Sequence, residues 1–155
     1  MKKADDKDQV QVILVAEDDE QDIWMLRRAC EKEKIPHTFR FVHDGEQALD
    51  YLQGRPPYTD RKHFPIPDLI LLDLKLPRVD GFDVLKAVHN QPDLSHLPIV
   101  VFSGSDLDDD KGRAKRLGAK AYYVKTGKPE ELQKLILEIC RTYLKETGNE
   151  ADDSG

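Results

Sequence analysis

Long apolar runs are missing from this 155-residue chain. No stretch approaches the ~20 residues that a membrane-spanning helix needs, and the opening MKKADDKDQ has two lysines with no apolar segment behind them. The reading is therefore of neither a signal peptide nor an anchor. Cysteine is scarce: Cys30 and Cys140 lie far apart at apolar helical positions, as two free thiols in or near a core would. A cytoplasmic location is expected. An excess of positive charge is also absent. The formal charge of −6 argues against nucleic acid as a direct partner, because phosphate binding needs a basic face. Finally, no glycine-rich phosphate loop follows the first apolar stretch; Glu17-Asp18-Asp19 stands there instead. That trio would repel a nucleotide phosphate unless a metal intervened.

What is present suits one soluble domain with a single sizeable core: 39% of residues are hydrophobic and 35% charged. Polar segments at 1–9 and 147–155 read as disordered tails around an ordered domain over 10–146. Within it, short apolar runs alternate with helix-like stretches. Val10 to Ala16, Thr38 to Val42, Asp68 to Asp73, Ile99 to Phe102 and Ala121 to Val124 read as strands. Asp22 to Glu33, Gly45 to Leu52, Phe82 to His89, Leu107 to Leu117 and Pro129 to about Lys145 read as helices. The fourth helix is weak, with three successive aspartates and Gly112. The fifth is the clearest, with Leu132, Leu135, Ile136, Ile139 and Tyr143 on one stripe. Five strand–helix units imply right-handed crossovers and a parallel sheet covered on both faces, which the wholly apolar strands fit.

In such sheets function gathers beyond the carboxyl ends of the strands. The first strand ends in Glu17-Asp18-Asp19, the third in Asp73, the fourth in Ser103 and the fifth in Lys125. Each alone has an ordinary explanation: a helix cap, a turn residue before Pro77, a loop hydroxyl, a surface lysine. Their joint placement at one sheet edge does not. Clustered carboxylates repel one another, and a hard cation with oxygen ligands, magnesium above all, is the simplest remedy. A carboxylate flanked by a metal and the Lys125 ammonium is placed to attack phosphorus, since both cations neutralise phosphoryl oxygens. Asp73 is the candidate nucleophile.

These residues resemble the receiver domain of response regulators in two-component signalling. "ILVAEDDEQD", "FVHDGEQALDYL", "PDLILLDLKLPRVDGFDVL", "PIVVFSGS" and "LGAKAYYVK" occur in the family's order and span about residues 10 to 145. The resemblance implies an α/β, flavodoxin-like (βα)5 fold, a doubly wound parallel five-stranded sheet in the order 2-1-3-4-5. It implies Asp73 as phosphoacceptor for a sensor histidine kinase or small phosphodonor. The magnesium site would comprise Asp18 directly, Glu17 mainly through water, Asp73, and the backbone carbonyl of Lys75. Asp19 falls one place beyond the acidic pair, as a cap. Lys125 would contact the phosphoryl group, and Ser103 with Tyr122 would form the conformational switch, Tyr123 being the packing neighbour. Output would pass by protein contact through the face built from the fourth helix, fifth strand and fifth helix, to a downstream protein or a second copy in a homodimer. No output domain is expected after residue 145. The long segment after the second helix resembles stand-alone regulators associated with bacterial phytochromes.

Two departures stand out. The family usually follows the lysine with a proline across a cis peptide, whereas Thr126 follows Lys125 here. Either the bond is cis at a cost of about 3–4 kcal/mol, or it is trans and Lys125 points differently. Lys75, two past the acceptor, could overhang the phosphoryl site and screen it from water. The 54–68 segment, with Tyr58, Phe64 and four prolines, is either a docking loop or an ordered connection. Rival readings are a receiver scaffold that is never phosphorylated, supported by Thr126, and an aspartate-nucleophile phosphatase of the haloacid dehalogenase type. The latter needs a second aspartate where Lys75 stands.

Overall fold

The computed structural model describes residues 10–144; the expected tails and the final residues of the 10–146 domain fall outside the described residues in whole or in part. Five strands alternate with five helices: β1 (Val12–Ala16), α1 (Glu20–Lys32), β2 (Thr38–Val42), α2 (Gly45–Gln53), β3 (Leu69–Leu72), α3 (Gly81–His89), β4 (Ile99–Ser103), α4 (Asp108–Arg116), β5 (Ala121–Val124) and α5 (Pro129–Tyr143). All strands are parallel, in the order β2-β1-β3-β4-β5. This is the fold that the resemblance implies.

The apolar strands explain where the core sits. Side chains alternate across a strand, so Leu14, Ala16, Ile70 and Leu72 join one apolar cluster with residues of α2 and α3. Their neighbours Ile13, Val15, Leu69 and Leu71 join a second, with Leu26 and Ala29 of α1 and Leu132, Ile136 and Ile139 of α5. Because both faces are covered, every residue of β1 and β3 is buried, which is why neither strand shows a polar alternation.

Three of the five helix starts are set by side chains of the connecting loops. Asp19, Asp44 and Asp80 each accept hydrogen bonds from free backbone N–H groups at the first turns of α1, α2 and α3. Asp19 is thus the cap that its position suggested. Gly81 has a more particular role. A Cβ there would run into the backbone carbonyl of Asp73, so only glycine lets the first turn of α3 lie against the end of β3. The backbone N–H of Gly81 donates to the Leu74 carbonyl at 2.8 Å. β3 itself stops at Leu72, so Asp73 is the first residue past the strand rather than its last.

The 54–68 segment is an ordered connection whose aromatics turn inward. Tyr58 and Phe64 pack on Tyr51 of α2, with ring centroids 5.1 and 6.0 Å away. The Arg61 guanidinium donates to the carbonyls of Tyr51, Leu52 and Phe64 at 2.8–3.0 Å. It thereby ties the last turn of α2 to this segment, adding to the Gly54 N–H that already donates to the Tyr51 carbonyl. The internal reading accounts for Tyr58 and Phe64, while Ile66 of the same segment stays exposed.

Candidate phosphoryl and metal site

The parallel sheet delivers the ends of β1, β3, β4 and β5 to one edge, where the side chains of Glu17, Asp73 and Lys125 meet. The Lys125 ammonium donates to Glu17 Oε1 at 2.8 Å and Asp73 Oδ2 at 3.0 Å. It also donates to Asp22 Oδ2 at 2.7 Å. Glu17 and Asp73 are nearly fully buried, at 4% and 6% exposure. Asp73 Oδ1 accepts the Lys75 backbone N–H at 3.3 Å, and Glu17 Oε2 accepts that of Asp19 at 3.1 Å. Lys75 is itself exposed.

Asp22 was not among the expected site residues. The sequence places it at the beginning of a helix, where an acid has an ordinary role beside the helix dipole. One signal was available: that helix follows the Glu17-Asp18-Asp19 trio directly, so its first turn must lie at the same sheet edge.

The charges do not balance. Three carboxylates (Glu17, Asp22, Asp73) contact one ammonium, and a fourth, Asp18, clusters with Glu17 and Asp73. Burial, together with the neighbouring charge of Asp73, pushes the Glu17 carboxyl up to about 7 despite its bond to Lys125. For Lys125, burial alone would lower the pKa, but the Asp22 and Glu17 hydrogen bonds and the Asp73 charge together hold it above the ordinary lysine range. Glu17, Asp18 and Asp73 each offer an oxygen within 4.8 Å of the others. Hard carboxylate oxygens in this number suit an oxygen-seeking divalent cation, and three carboxylates within ligand reach of one another leave room for a positive charge beyond that of Lys125. The residues present therefore fit a divalent cation.

The peptide after Lys125 is trans; the one cis peptide among the described residues is Pro56–Pro57. Lys125 nevertheless reaches Asp73, so the expectation that a trans bond turns it elsewhere is corrected. The reason lies in Thr126. Its hydroxyl donates to Glu131 Oε1 at 2.8 Å and accepts the Lys128 N–H at 3.1 Å, organising the turn into α5 without a proline. The Lys125 backbone N–H, donating to the Ser103 carbonyl at 2.8 Å, fixes the lysine beside the end of β4.

Ser103 is fully buried, and its Oγ accepts the Ser105 N–H at 3.3 Å. The Tyr122 hydroxyl donates to the Ser105 carbonyl at 2.9 Å, while the Ser105 hydroxyl donates to Asp110 of α4 at 2.6 Å. Ser105, which the sequence did not single out, thus links the Ser103 loop, Tyr122 and α4. Tyr122 packs with the α2–α3 cluster and Tyr123 with the α1–α5 cluster, so Tyr122 is the tyrosine bonded to the loop that carries Ser103. Cys30 and Cys140 are free thiols, and burial pushes them up to about 12 and about 11, which disfavours the reactive thiolate form. Among the described residues no helix is long and apolar enough to cross a membrane.

The family model for the response regulator receiver domain matches residues 13–137. Response regulator Rcp1 of Synechocystis sp. is 32% identical over 136 residues, covering 88% of this chain and 90% of that protein; its manganese-bound structure superposes with a TM-score of 0.77 at 32% identity, over 87% of this chain and 95% of that one. The phosphorylated cyanobacterial phytochrome response regulator RcpA has a TM-score of 0.80 at 32% identity, over 87% of this chain and 94% of its own. RPA3017, a response regulator in red light signalling of R. palustris, reaches 0.83 at 32% identity, over 88% and 96%. By its sequence, its strand order and the residues gathered at its acidic edge, the chain belongs to the response regulator receiver domain family of two-component signalling.

Proposed function

We propose that this receiver accepts a phosphoryl group on Asp73 from the phosphohistidine of a sensor kinase, in a magnesium-dependent reaction. The observation that carries the reading is the buried Asp73 carboxylate held 3.0 Å from the Lys125 ammonium, with Glu17 and Asp18 in metal-ligating reach. An Asp73 oxygen attacks phosphorus, the phosphorus–nitrogen bond breaks, and the imidazole leaves. Lys125 neutralises charge on the phosphoryl oxygens, and Ser103 turns its hydroxyl toward them. The metal, when bound, supplies further neutralisation of the same oxygens. Asp18, Asp73 and the Lys75 carbonyl would hold it, with Glu17 acting mainly through water. Hydrolysis of the acyl phosphate resets Asp73.

Output passes by protein contact through the α4–β5–α5 face, to a downstream protein or a second copy. The chain Ser103–Ser105–Asp110, with Tyr122 on the Ser105 carbonyl, supports this direction, because movement of Ser103 bears on α4 through hydrogen bonds rather than through bulk packing. A kinase of phytochrome type is the favoured donor, since RcpA and RPA3017 are described in phytochrome and red-light settings.

Intact mass after incubation with magnesium and acetyl phosphate tests the reading. The native chain should gain one acid-labile phosphoryl group, and Asp73→Asn should gain none. A native chain that gains nothing would favour the unphosphorylated scaffold.

A further inference from the structure

Lys125 is gripped by three carboxylates, and only two of them belong to the metal-ligating cluster. Glu17 and Asp73 offer oxygens to that cluster together with Asp18; Asp22 is not part of it. Yet Asp22 makes the shortest of the three bonds, 2.7 Å against 2.8 and 3.0 Å. It reaches Lys125 from the first turn of α1, where its backbone N–H is tied to the capping Asp19 carboxylate at 3.1 Å. A divalent cation drawing on Glu17 and Asp73 weakens their hold on the ammonium and repels it directly. Asp22 then remains as the partner whose full charge is unshared.

We propose that Asp22 is a positioning residue for phosphoryl transfer, keeping the Lys125 ammonium at the phosphoryl site when a metal occupies the carboxylate cluster beside it. This rests on the phosphoacceptor reading above. An acid that served only the α1 dipole would act through charge in that turn, and Glu20, also in the first turn, would do the same without touching Lys125.

The test is calorimetric titration of beryllofluoride, a phosphoryl mimic, into the magnesium-loaded full chain, comparing native, Asp22→Asn and Glu20→Gln proteins. Loss of one charge-assisted hydrogen bond to the lysine predicts about tenfold weaker binding for Asp22→Asn, with Glu20→Gln within about twofold of native. In parallel, the Lys125 ammonium resonance in proton–nitrogen spectra of the loaded state should be protected from exchange in the native chain and broadened in Asp22→Asn. Native-like affinity and an unchanged ammonium signal in Asp22→Asn, or equal losses in both variants, would overturn the role of Asp22 while leaving the phosphoacceptor reading intact. A native chain that does not bind beryllofluoride would overturn both together.

Discussion

Helices α3 and α4 are each nine residues long and start from loops beside the candidate site, yet they are held very differently. α3 has a capping aspartate and buries Gly81, Val84, Leu85 and Val88. α4 has no side-chain cap and buries Ala114 alone. Three acids in its first turn and three bases in its last suit the helix dipole, but contacts of that kind are weak and screened by salt. Its firmer ties are polar or aromatic: Asp110 to Ser105, and Arg113 lying 4.1 Å from the centre of the Phe82 ring of α3. A helix buried on several apolar residues cannot shift without opening cavities, whereas one held by exchangeable polar contacts can. The contrast leaves α3 fixed by its apolar burial and α4 the freer of the two to shift.

The sharpest way to break that contrast is truncation on the two helices. Leu85→Ala should cost about 2–5 kcal/mol in urea unfolding, and Leu107→Ala, at the exposed start of α4, less than about 0.5 kcal/mol. Comparable costs would mean that α4 is anchored as firmly as α3. A second contrast, between the apolar sheet interior and its acidic edge, predicts the next largest effect. The folded-state pKa of Glu17, about 7, lies above the ordinary 4.5, so protonation favours the folded state. That contribution is complete below about 4.5 and is lost as pH rises through 7. In magnesium-free buffer the native chain should therefore lose roughly 2–3 kcal/mol relative to Glu17→Gln between pH 5 and 8. Parallel stability profiles would show that Glu17 does not titrate in this window.

Capping gives a smaller and directional test. Asp80→Ala should destabilise the fold by about 1 kcal/mol. Leu107→Ser, at an extended backbone position that suits a cap, should stabilise it by roughly 0.5–1 kcal/mol by giving α4 what α3 already has. No gain in the urea midpoint would mean that the start of α4 is already satisfied. The smallest effect concerns kinetics. If the exposed Lys75 screens the phosphoryl group from water, Lys75→Ala should shorten the lifetime of phosphorylated Asp73 by a few-fold, within about 1 kcal/mol of barrier; an unchanged decay rate would remove that role.

Much of this was legible before any coordinates. β2 and β5 run over the residues that their branched and aromatic composition marked, and α5 begins at Pro129 as expected. The boundaries that moved did so by a residue or two, because local patterns do not register the last hydrogen bond of an element. Glu17, Asp73 and Lys125 could be placed together from sequence because a parallel sheet brings every strand's carboxyl end to one edge. Asp22 could not be assigned to Lys125 in the same way. Their contact spans 103 positions, and nothing in a helix's first turn says which distant strand end its side chain will face. Tyr58 and Phe64 were ambiguous for a similar reason: an aromatic in a loop reads alike whether it packs inward or outward.

By itself the sequence determined the layered fold and the sheet edge at which acids and a lysine gather, because periodicity and strand-end position are local properties that parallel topology converts into proximity. Only the tertiary structure decided that Asp22 shares the lysine, that Thr126 can organise the turn beyond it, and that Ser105 joins Tyr122 to α4. Those are pairings between side chains on separate elements, fixed by how the layers pack and not by any single stretch of chain.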